Sequence, residues 1–297
     1  MIPEIKNRIA IGAVVCSAIL AASCATAPKR PMVREEKHIL ASTELENGNS
    51  ALVSGDFSLA AKHLNEAFRL ALSIDDADML TRVLFAQISY QAAQNTAESW
   101  QSAGNLLAQA RVYAARSAGP LAAVCDVYEA YILIFGPERA GAGALSLLGE
   151  KEKQLDKEPF YQGFWYHTVG DALVLEKRYQ EADAAFVKAA DIHTKNRYLE
   201  EIGHDWYAAA SARSLAGNRQ QAVDAVIQAL VYDRDAENTV AVASDYFAMA
   251  RILARYAATD AERKDAASRA EYAAAIYRTI GREDAALECL RFAAAFE

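Results

Sequence analysis

The chain has 297 residues and a formal net charge of −8, with 53% apolar and 24% charged residues. This composition excludes a disordered chain and a protein made largely of membrane spans. The acidic balance argues against a nucleic-acid binder, which needs a basic surface. Alanine contributes 64 residues, whereas glycine contributes 14 and proline 6. Alanine loses no side-chain entropy in a helix, so the composition predicts an all-helical protein.

The first residues have the pattern of a secretion signal. Lys6 and Arg8 precede an apolar run over residues 9–22, which ends in the sequence LAASC from Leu20 to Cys24. The run is shorter than the roughly 20 residues that span a bilayer. A basic start, a short apolar run and small residues at its end are typical of a cleaved signal peptide.

Small residues followed directly by cysteine resemble the lipobox of bacterial lipoproteins. The resemblance implies that residues 1–23 are a lipoprotein signal peptide, that Cys24 carries acyl chains such as palmitate, and that residues 24–36 form a short linker. Ala25 follows the cysteine where inner-membrane lipoproteins often have aspartate, which implies the periplasmic face of the outer membrane. The alternative is an ordinary cleaved signal, because Leu20 lies four residues before the cysteine rather than three.

Three later segments share a turn pattern that ends in alanine. They begin at Gly55 (GDFSLA), Lys177 (KRYQEA) and Gly217 (GNRQQA), and a fourth, weaker segment begins at Gly281. The second and third segments are 40 residues apart. Helix-period apolar residues flank the turns, which predicts repeated helix–turn–helix units.

The flanking residues resemble the tetratricopeptide repeat (TPR), whose helices carry small and aromatic residues at fixed positions. The positions that fit this pattern, and that we expect to anchor the repeats, are Gly48, Ala60, Tyr166, Gly170, Ala182, Phe186, Trp206 and Ala222. The family proline is absent and the period is nearer 40 than 34, so the units are TPR-like with longer helices or loops. The resemblance implies a right-handed superhelical solenoid of five to six antiparallel helix pairs over residues 37–297.

Weaker patterns predict the remaining helices. Pro120 and Pro137 each follow a glycine, a combination typical of a helix end and a new helix start. The predicted ranges are 78–93, 97–117, 121–135, 138–155, 237–256, 261–280 and 282–296.

The sequence lacks the common catalytic and nucleotide-binding motifs. HExxH, GxxxxGK[ST], GxGxxG and GxSxG do not occur. Cys125 and Cys289 have no metal-binding spacing, and we expect them to be buried thiols. We therefore expect neither enzymatic activity nor a cofactor or bound metal.

Residues 160–167 contain five aromatic side chains and a histidine, more than one helix face can bury. In the TPR family, ligand contacts come from fixed positions on the first helix of each pair. Carried over by register, the contacts on the concave face are Phe164, His167, Asp171, Val174, His204, Tyr207, Ser211 and Ser214. This patch has three interpretations: a groove for a protein segment, a structural cluster without a ligand, or a metal or small-molecule pocket built on His167, Asp171 and His204.

These patterns predict a membrane-anchored periplasmic scaffold or adaptor. Its concave face would bind a protein or peptide partner in the cell envelope, and its only membrane contact would be the lipid. The alternative is a small-molecule binding or carrier component, similar to the TPR lipoproteins associated with TRAP-type transporters. An enzyme that uses His167 or His204 is a third hypothesis, without an identifiable second catalytic group.

Overall fold

The computed structural model describes residues 35–117 and 119–296. The description below concerns the compact unit Lys37–Glu297. The signal peptide, Cys24 and nearly all of the linker lie outside the described residues, so their predicted roles stay predictions.

All regular structure in the described ranges is helical, as the composition predicts. The α-helices are α1 (Glu36–Val53), α2 (Phe57–Ser73), α3 (Ala77–Gln94), α4 (Ala97–Ala114), α5 (Leu121–Phe135), α6 (Gly141–Leu148), α7 (Pro159–Leu175), α8 (Tyr179–Asn196), α9 (Leu199–Leu215), α10 (Arg219–Asp235), α11 (Thr239–Arg255), α12 (Asp260–Thr279) and α13 (Glu283–Ala294). A 3₁₀ helix spans Lys151–Leu155. None of the described helices combines the length and apolar character needed to cross a bilayer.

Helices that are neighbours in sequence pack against each other and form a TPR-like stack of helix pairs. We call the odd-numbered helices α1 to α11 the first helices and their even-numbered partners the second helices. The predicted turn residues Gly55, Lys177, Gly217 and Gly281 all adopt positive φ, at 78°, 59°, 88° and 71°. This left-handed conformation ends one helix and lets the chain reverse into the next.

Polar caps fix where several helices begin. Asp56 accepts a hydrogen bond from the backbone N–H of Leu59 at the start of α2, and Asp76 does the same for α3. Thr96 and Thr259 form capping boxes at the starts of α4 and α12. Each cap satisfies backbone donors that a helix start leaves unpaired.

Small residues allow close contact where paired helices cross. A Cβ added at Gly170 would lie 2.5 Å from Cε1 of Phe186, and one added at Gly48 would lie 2.7 Å from Cδ2 of Leu64. On the second helices, the predicted anchor alanines are fully buried: Ala60, Ala182 and Ala222. Helix–helix packing at these positions therefore depends on the absence of a larger side chain.

One predicted helix is wrong in its extent. The range 138–155 is not a single helix but α6 followed by the 3₁₀ helix, and the break falls at Gly149, which has a φ of 46°. A glycine in the left-handed conformation ends a helix, and the polar residues that follow it form the separate 3₁₀ turn. Cys125 and Cys289 are buried free thiols, as expected.

Candidate functional site

The first helices line a run of three cavities, which we call the inner groove. The aromatic cavity has a volume of about 380 Å³ and is bordered by side chains of α1, α3, α5, α7 and α9, including Phe85, Tyr128 and Tyr161. Val53, Glu200 and Glu201 border both this cavity and the next one, so the two are contiguous.

The second cavity, the acidic cavity, has a volume of about 430 Å³ and lies between α1, α9, α10 and α11. Its carboxyl groups belong to Glu200, Glu201, Asp233 and Asp245. The third, the α9–α11 cleft, has a volume of about 250 Å³ and shares Tyr207 with the acidic cavity. The inner groove thus changes from aromatic to acidic to mixed character along its length.

The first helix pair approaches helices from the C-terminal part of the stack. Val53, at the end of α1, borders the same cavity as residues of α9 and α11. Gly55 lies against Arg282, since a Cβ added at this glycine would be 2.1 Å from Nη1 of Arg282. The wall of the inner groove therefore includes helices that are far apart in sequence.

The aromatic residues of α7 divide between the core and the groove. Tyr161 and Trp165 are buried, while Phe160, Phe164 and Tyr166 are half-buried. Phe160 and Tyr161 border the aromatic cavity. The hydroxyl group of Tyr166 donates a hydrogen bond to the carboxylate of Glu152, at 3.0 Å.

A buried carboxylate on α9 holds two histidines from neighbouring helices. His167 Nδ1 donates to Oδ1 of Asp205 at 2.6 Å, and His193 Nδ1 donates to Oδ2 at 2.7 Å. His193 Nε2 also lies 3.3 Å from the carbonyl oxygen of Phe160. Asp205 is only 1% exposed, so α7, α8 and α9 are joined through a desolvated polar cluster.

The electrostatics of this cluster favour the ion pair. Burial by itself raises the pKa of Asp205, but the hydrogen bonds from His167 and His193 outweigh it and lower the pKa below its usual value. Burial lowers the pKa of His167, but the carboxylates of Asp171 and Asp205 outweigh it and raise the pKa. Burial raises the pKa of Asp171 itself to about 6.

The next repeat replaces both histidines of the cluster. Three pairs of positions are 40 residues apart: Asp205 with Asp245, His193 with Asp233, and His167 with Tyr207. Asp245 therefore faces a second carboxyl group where Asp205 faces an imidazole. Burial and the neighbouring carboxylate of Asp233 raise the pKa of Asp245 to about 9, and burial raises that of Asp233 to about 6.

Two glycines, also one repeat apart, make room for these groups. A Cβ at Gly163 would lie 2.2 Å from Nε2 of His193, and a Cβ at Gly203 would lie 2.3 Å from Oδ1 of Asp233. The same backbone geometry thus accommodates an imidazole in one repeat and a carboxyl group in the next.

The predicted contact residues fall into two groups. His204, Tyr207, Ser211 and Ser214 border the acidic cavity or the α9–α11 cleft. On α7, the ring of Phe164 packs on Tyr128 at a centroid distance of 5.1 Å, and Val174 packs on the core beside Leu173. The imidazole of His167 is directed into the Asp205 cluster, with Asp171 3.5 Å from its other ring nitrogen.

The side chains of the proposed pocket, His167, Asp171 and His204, are arranged differently from a set of converging ligands. The rings of His167 and His204 stack at a centroid distance of 4.2 Å, and Asp205 occupies Nδ1 of His167. Within residues 35–117 and 119–296, no three His, Cys, Asp or Glu side chains are placed to hold a metal ion.

Sequence reasoning missed Asp205, His193, Asp233 and Asp245. The signal that identifies them is the 40-residue period, because it aligns the aspartates of α9 and α11 and reveals an acid where the preceding repeat has a histidine. Their burial is visible only in the packed structure.

Comparisons with known proteins show the fold. A Rap protein solved in complex with Competence and Sporulation Factor is 15% identical over 86% of this chain and 74% of its own, with a TM-score of 0.56. The apo form of RapI is 12% identical over 86% of this chain and 71% of its own, with a TM-score of 0.58.

A third similar structure contains nearly identical TPR-like repeats and is named after the kinesin light chain of Podosopora anserina. It is 18% identical and covers 68% of this chain and 97% of its own, with a TM-score of 0.50. No protein-family model matches the sequence, and no curated protein matches it. The described unit therefore has a TPR-like fold.

Proposed function

We propose that this chain is a non-enzymatic scaffold of the bacterial cell envelope that binds a segment of a partner protein in its inner groove. Acyl chains on Cys24 would hold it at the periplasmic face of the outer membrane, because two or more acyl chains anchor a protein stably. The observation that carries the proposal is the continuous groove along the first helices, bordered by four of the eight predicted contact residues.

The composition of the inner groove supports a protein ligand. The half-buried ring of Phe160 provides an apolar contact area at one end, and aromatic residues dominate the energetics of many interfaces. Carboxyl groups follow in the acidic cavity, and Arg251 and Arg255 border the α9–α11 cleft. This order of apolar, acidic and basic surfaces suits an extended segment with a defined direction.

The structural neighbours agree with this use of the fold. The Rap protein described above was crystallised with Competence and Sporulation Factor. It shares only the fold with this chain, so it supports binding of another molecule by such a stack and does not identify the ligand.

The second candidate is a small-molecule carrier, similar to the TPR lipoproteins associated with TRAP-type transporters. The acidic cavity favours a small-molecule carrier, because its volume of about 430 Å³ lies within the range of volumes found for small-ligand sites. The two candidates differ in what co-purifies with the protein from the cell envelope. A scaffold should retain a defined polypeptide, and a carrier should retain a small solute.

A crosslinked pull-down from envelopes of the native organism tests the scaffold proposal. We expect Tyr207→Ala/Ser211→Arg to lose a protein that the wild type captures, because these residues border the cleft and Ser211 is exposed. The matched control is Tyr272→Ala, an aromatic residue that is 53% exposed on the second helix α12. Equal capture by the wild type and the groove variant would contradict the proposal.

Metabolic labelling tests the anchor. We expect radiolabelled palmitate to appear on the wild type and on the Ser17→Ala control but not on Cys24→Ser, which lacks the thiol that the lipobox resemblance identifies. The wild type should also fractionate with outer membranes. Labelling that persists in Cys24→Ser would show that the acyl chains are attached elsewhere.

A further inference from the structure

The acidic cavity contains carboxyl oxygens that receive no hydrogen bond from any other described residue. They are Oδ1 of Asp233 and both side-chain oxygens of Asp245, and the two residues are 2% and 1% exposed. A proton on Asp245 can be shared between the two carboxyl groups. A buried acceptor without a partner has lost its hydrogen bonds to water without replacing them, so such groups are rare without an explanation. One shared proton cannot satisfy all the lone pairs of two carboxyl groups.

The preceding repeat shows what these oxygens lack. There the equivalent aspartate, Asp205, receives hydrogen bonds from His167 and His193. In the acidic cavity, Tyr207 and Asp233 occupy the positions of those two histidines. The site therefore keeps the carboxylate of the cluster, adds a second one and omits the cationic donors.

The walls of the acidic cavity indicate the charge and shape of the missing donor. Among the described residues no lysine or arginine borders the cavity, and Glu200 and Glu201 add two further carboxyl groups. Val53 and Val240 provide an apolar wall. A cationic head group on an aliphatic chain matches this combination of surfaces.

We infer that the acidic cavity binds a primary ammonium group carried on an aliphatic chain, held by Asp233 and Asp245. An ammonium group is compact and donates three hydrogen bonds, so in place of the shared proton it can satisfy the oxygens that this proton leaves without a donor. A metal ion is the weaker candidate, because no three potential ligands in the described ranges are placed to coordinate one. The inference goes beyond the proposed function, because it concerns the occupant of this cavity whether or not a partner protein is captured.

Two sources could supply the primary ammonium group: a lysine side chain of a bound segment and a free diamine. Calorimetric titration of the full chain in detergent distinguishes them. The probes are N-acetyl-lysine methylamide and 1,5-diaminopentane. Their neutral analogues are N-acetyl-norleucine methylamide and 1-pentanol. We expect at least one amine to bind at least about tenfold more tightly than its analogue, as hydrogen bonds to charged groups provide. The tighter amine identifies the source.

The variants assign the binding to the two aspartates. Asp233→Asn/Asp245→Asn should weaken amine binding at least about tenfold. The control Asp224→Asn, which removes an exposed acid of α10 outside the cavity, should leave it unchanged. Glu201→Gln, at the rim of the cavity, provides a second variant and should weaken binding to a smaller extent. Thermal melts of every variant verify that the chain remains folded.

Three results would overturn the inference. They are absence of amine binding to the wild type, equal binding of the neutral analogues, and amine binding that survives in the double variant. Titration with Ca²⁺ alone completes the test, since Ca²⁺ binding that is lost in the double variant without amine binding would identify a metal site instead. None of these results bears on the pull-down, so the two proposals fail separately.

Discussion

At the scale of single residues, two aspartates one repeat apart have opposite consequences for stability. Asp205 accepts hydrogen bonds from two buried imidazoles, whereas Asp245 faces another buried carboxyl group. Both residues are 1% exposed, so the difference arises from their partners and not from their depth. The pair therefore provides an internal comparison between a buried aspartate paired with imidazoles and one paired with a second carboxyl group.

We predict opposite effects of the same substitution at these positions. Asp205→Asn should destabilise the folded chain by about 3–5 kcal/mol, because it leaves two buried imidazoles without their carboxylate. Asp245→Asn should stabilise it by about 1–3 kcal/mol at pH 8, because it removes an unpaired buried carboxyl group. Urea unfolding measures both, and the same sign at both positions would contradict the assigned roles.

The gain from Asp245→Asn should depend on pH. The folded pKa of about 9 exceeds that of an unfolded aspartate, about 4, so the folded chain keeps a proton that the unfolded chain has lost. The stability due to that proton is fully present below pH ~4 and is lost as the pH rises toward ~9. Asp245→Asn should therefore stabilise the chain more at pH 8 than at pH 5. An equal gain at both pH values would contradict the raised pKa.

At the scale of helices and turns, small residues determine how closely paired helices pack. Gly170 faces the ring of Phe186 so closely that a Cβ has no space, whereas a Cβ at Gly104 meets nothing within 4 Å. Both glycines lie within helices, in α7 and α4. The two positions therefore separate the packing role of glycine from its intrinsic cost to a helix.

We predict that Gly170→Ala destabilises the chain by about 1–3 kcal/mol, because the added methyl group forces Phe186 to move. The matched substitution Gly104→Ala should stabilise it by about 0.5–1 kcal/mol, because alanine has the higher helix propensity. Thermal melts compare the two variants. A stabilising Gly170→Ala would show that this crossing is looser than described.

Local features of these elements could be predicted from the sequence. The Gly/Lys turn pattern identified the positive-φ residues, because a helix reversal of this kind needs a left-handed residue at that point. The split of the range 138–155 was not predicted, because a glycine inside a helical pattern is compatible with either a helix interior or a helix end.

At the scale of the whole described unit, the inner groove arises from helices that are distant in sequence. Val53 of α1 borders the same cavity as Tyr207 of α9 and Asp245 of α11. Periodicity identifies the inner face of each helix but not which helices meet across the groove. For this reason Ser211 and Tyr207 could be predicted as groove residues, while the carboxylate pair and its unpartnered oxygens could not.

The composition of the groove follows from the same arrangement. The core beneath the aromatic cavity is built from large side chains of α3 to α7, such as Phe85 and Trp165. The later pairs pack around smaller residues, such as Ala225 and Ala274. The aromatic and acidic ends of the inner groove therefore lie on differently packed parts of one stack.

Site-specific photocrosslinking in living cells tests the central claim most directly, namely that the inner groove holds a partner protein. A photoreactive phenylalanine analogue is placed at Ser211, which is exposed in the α9–α11 cleft, or at Val112, which is 64% exposed on the second helix α4. We predict a discrete crosslinked protein from position 211 that is absent from position 112. Crosslinks from position 112 alone, or an identical product from both positions, would contradict a groove-bound partner.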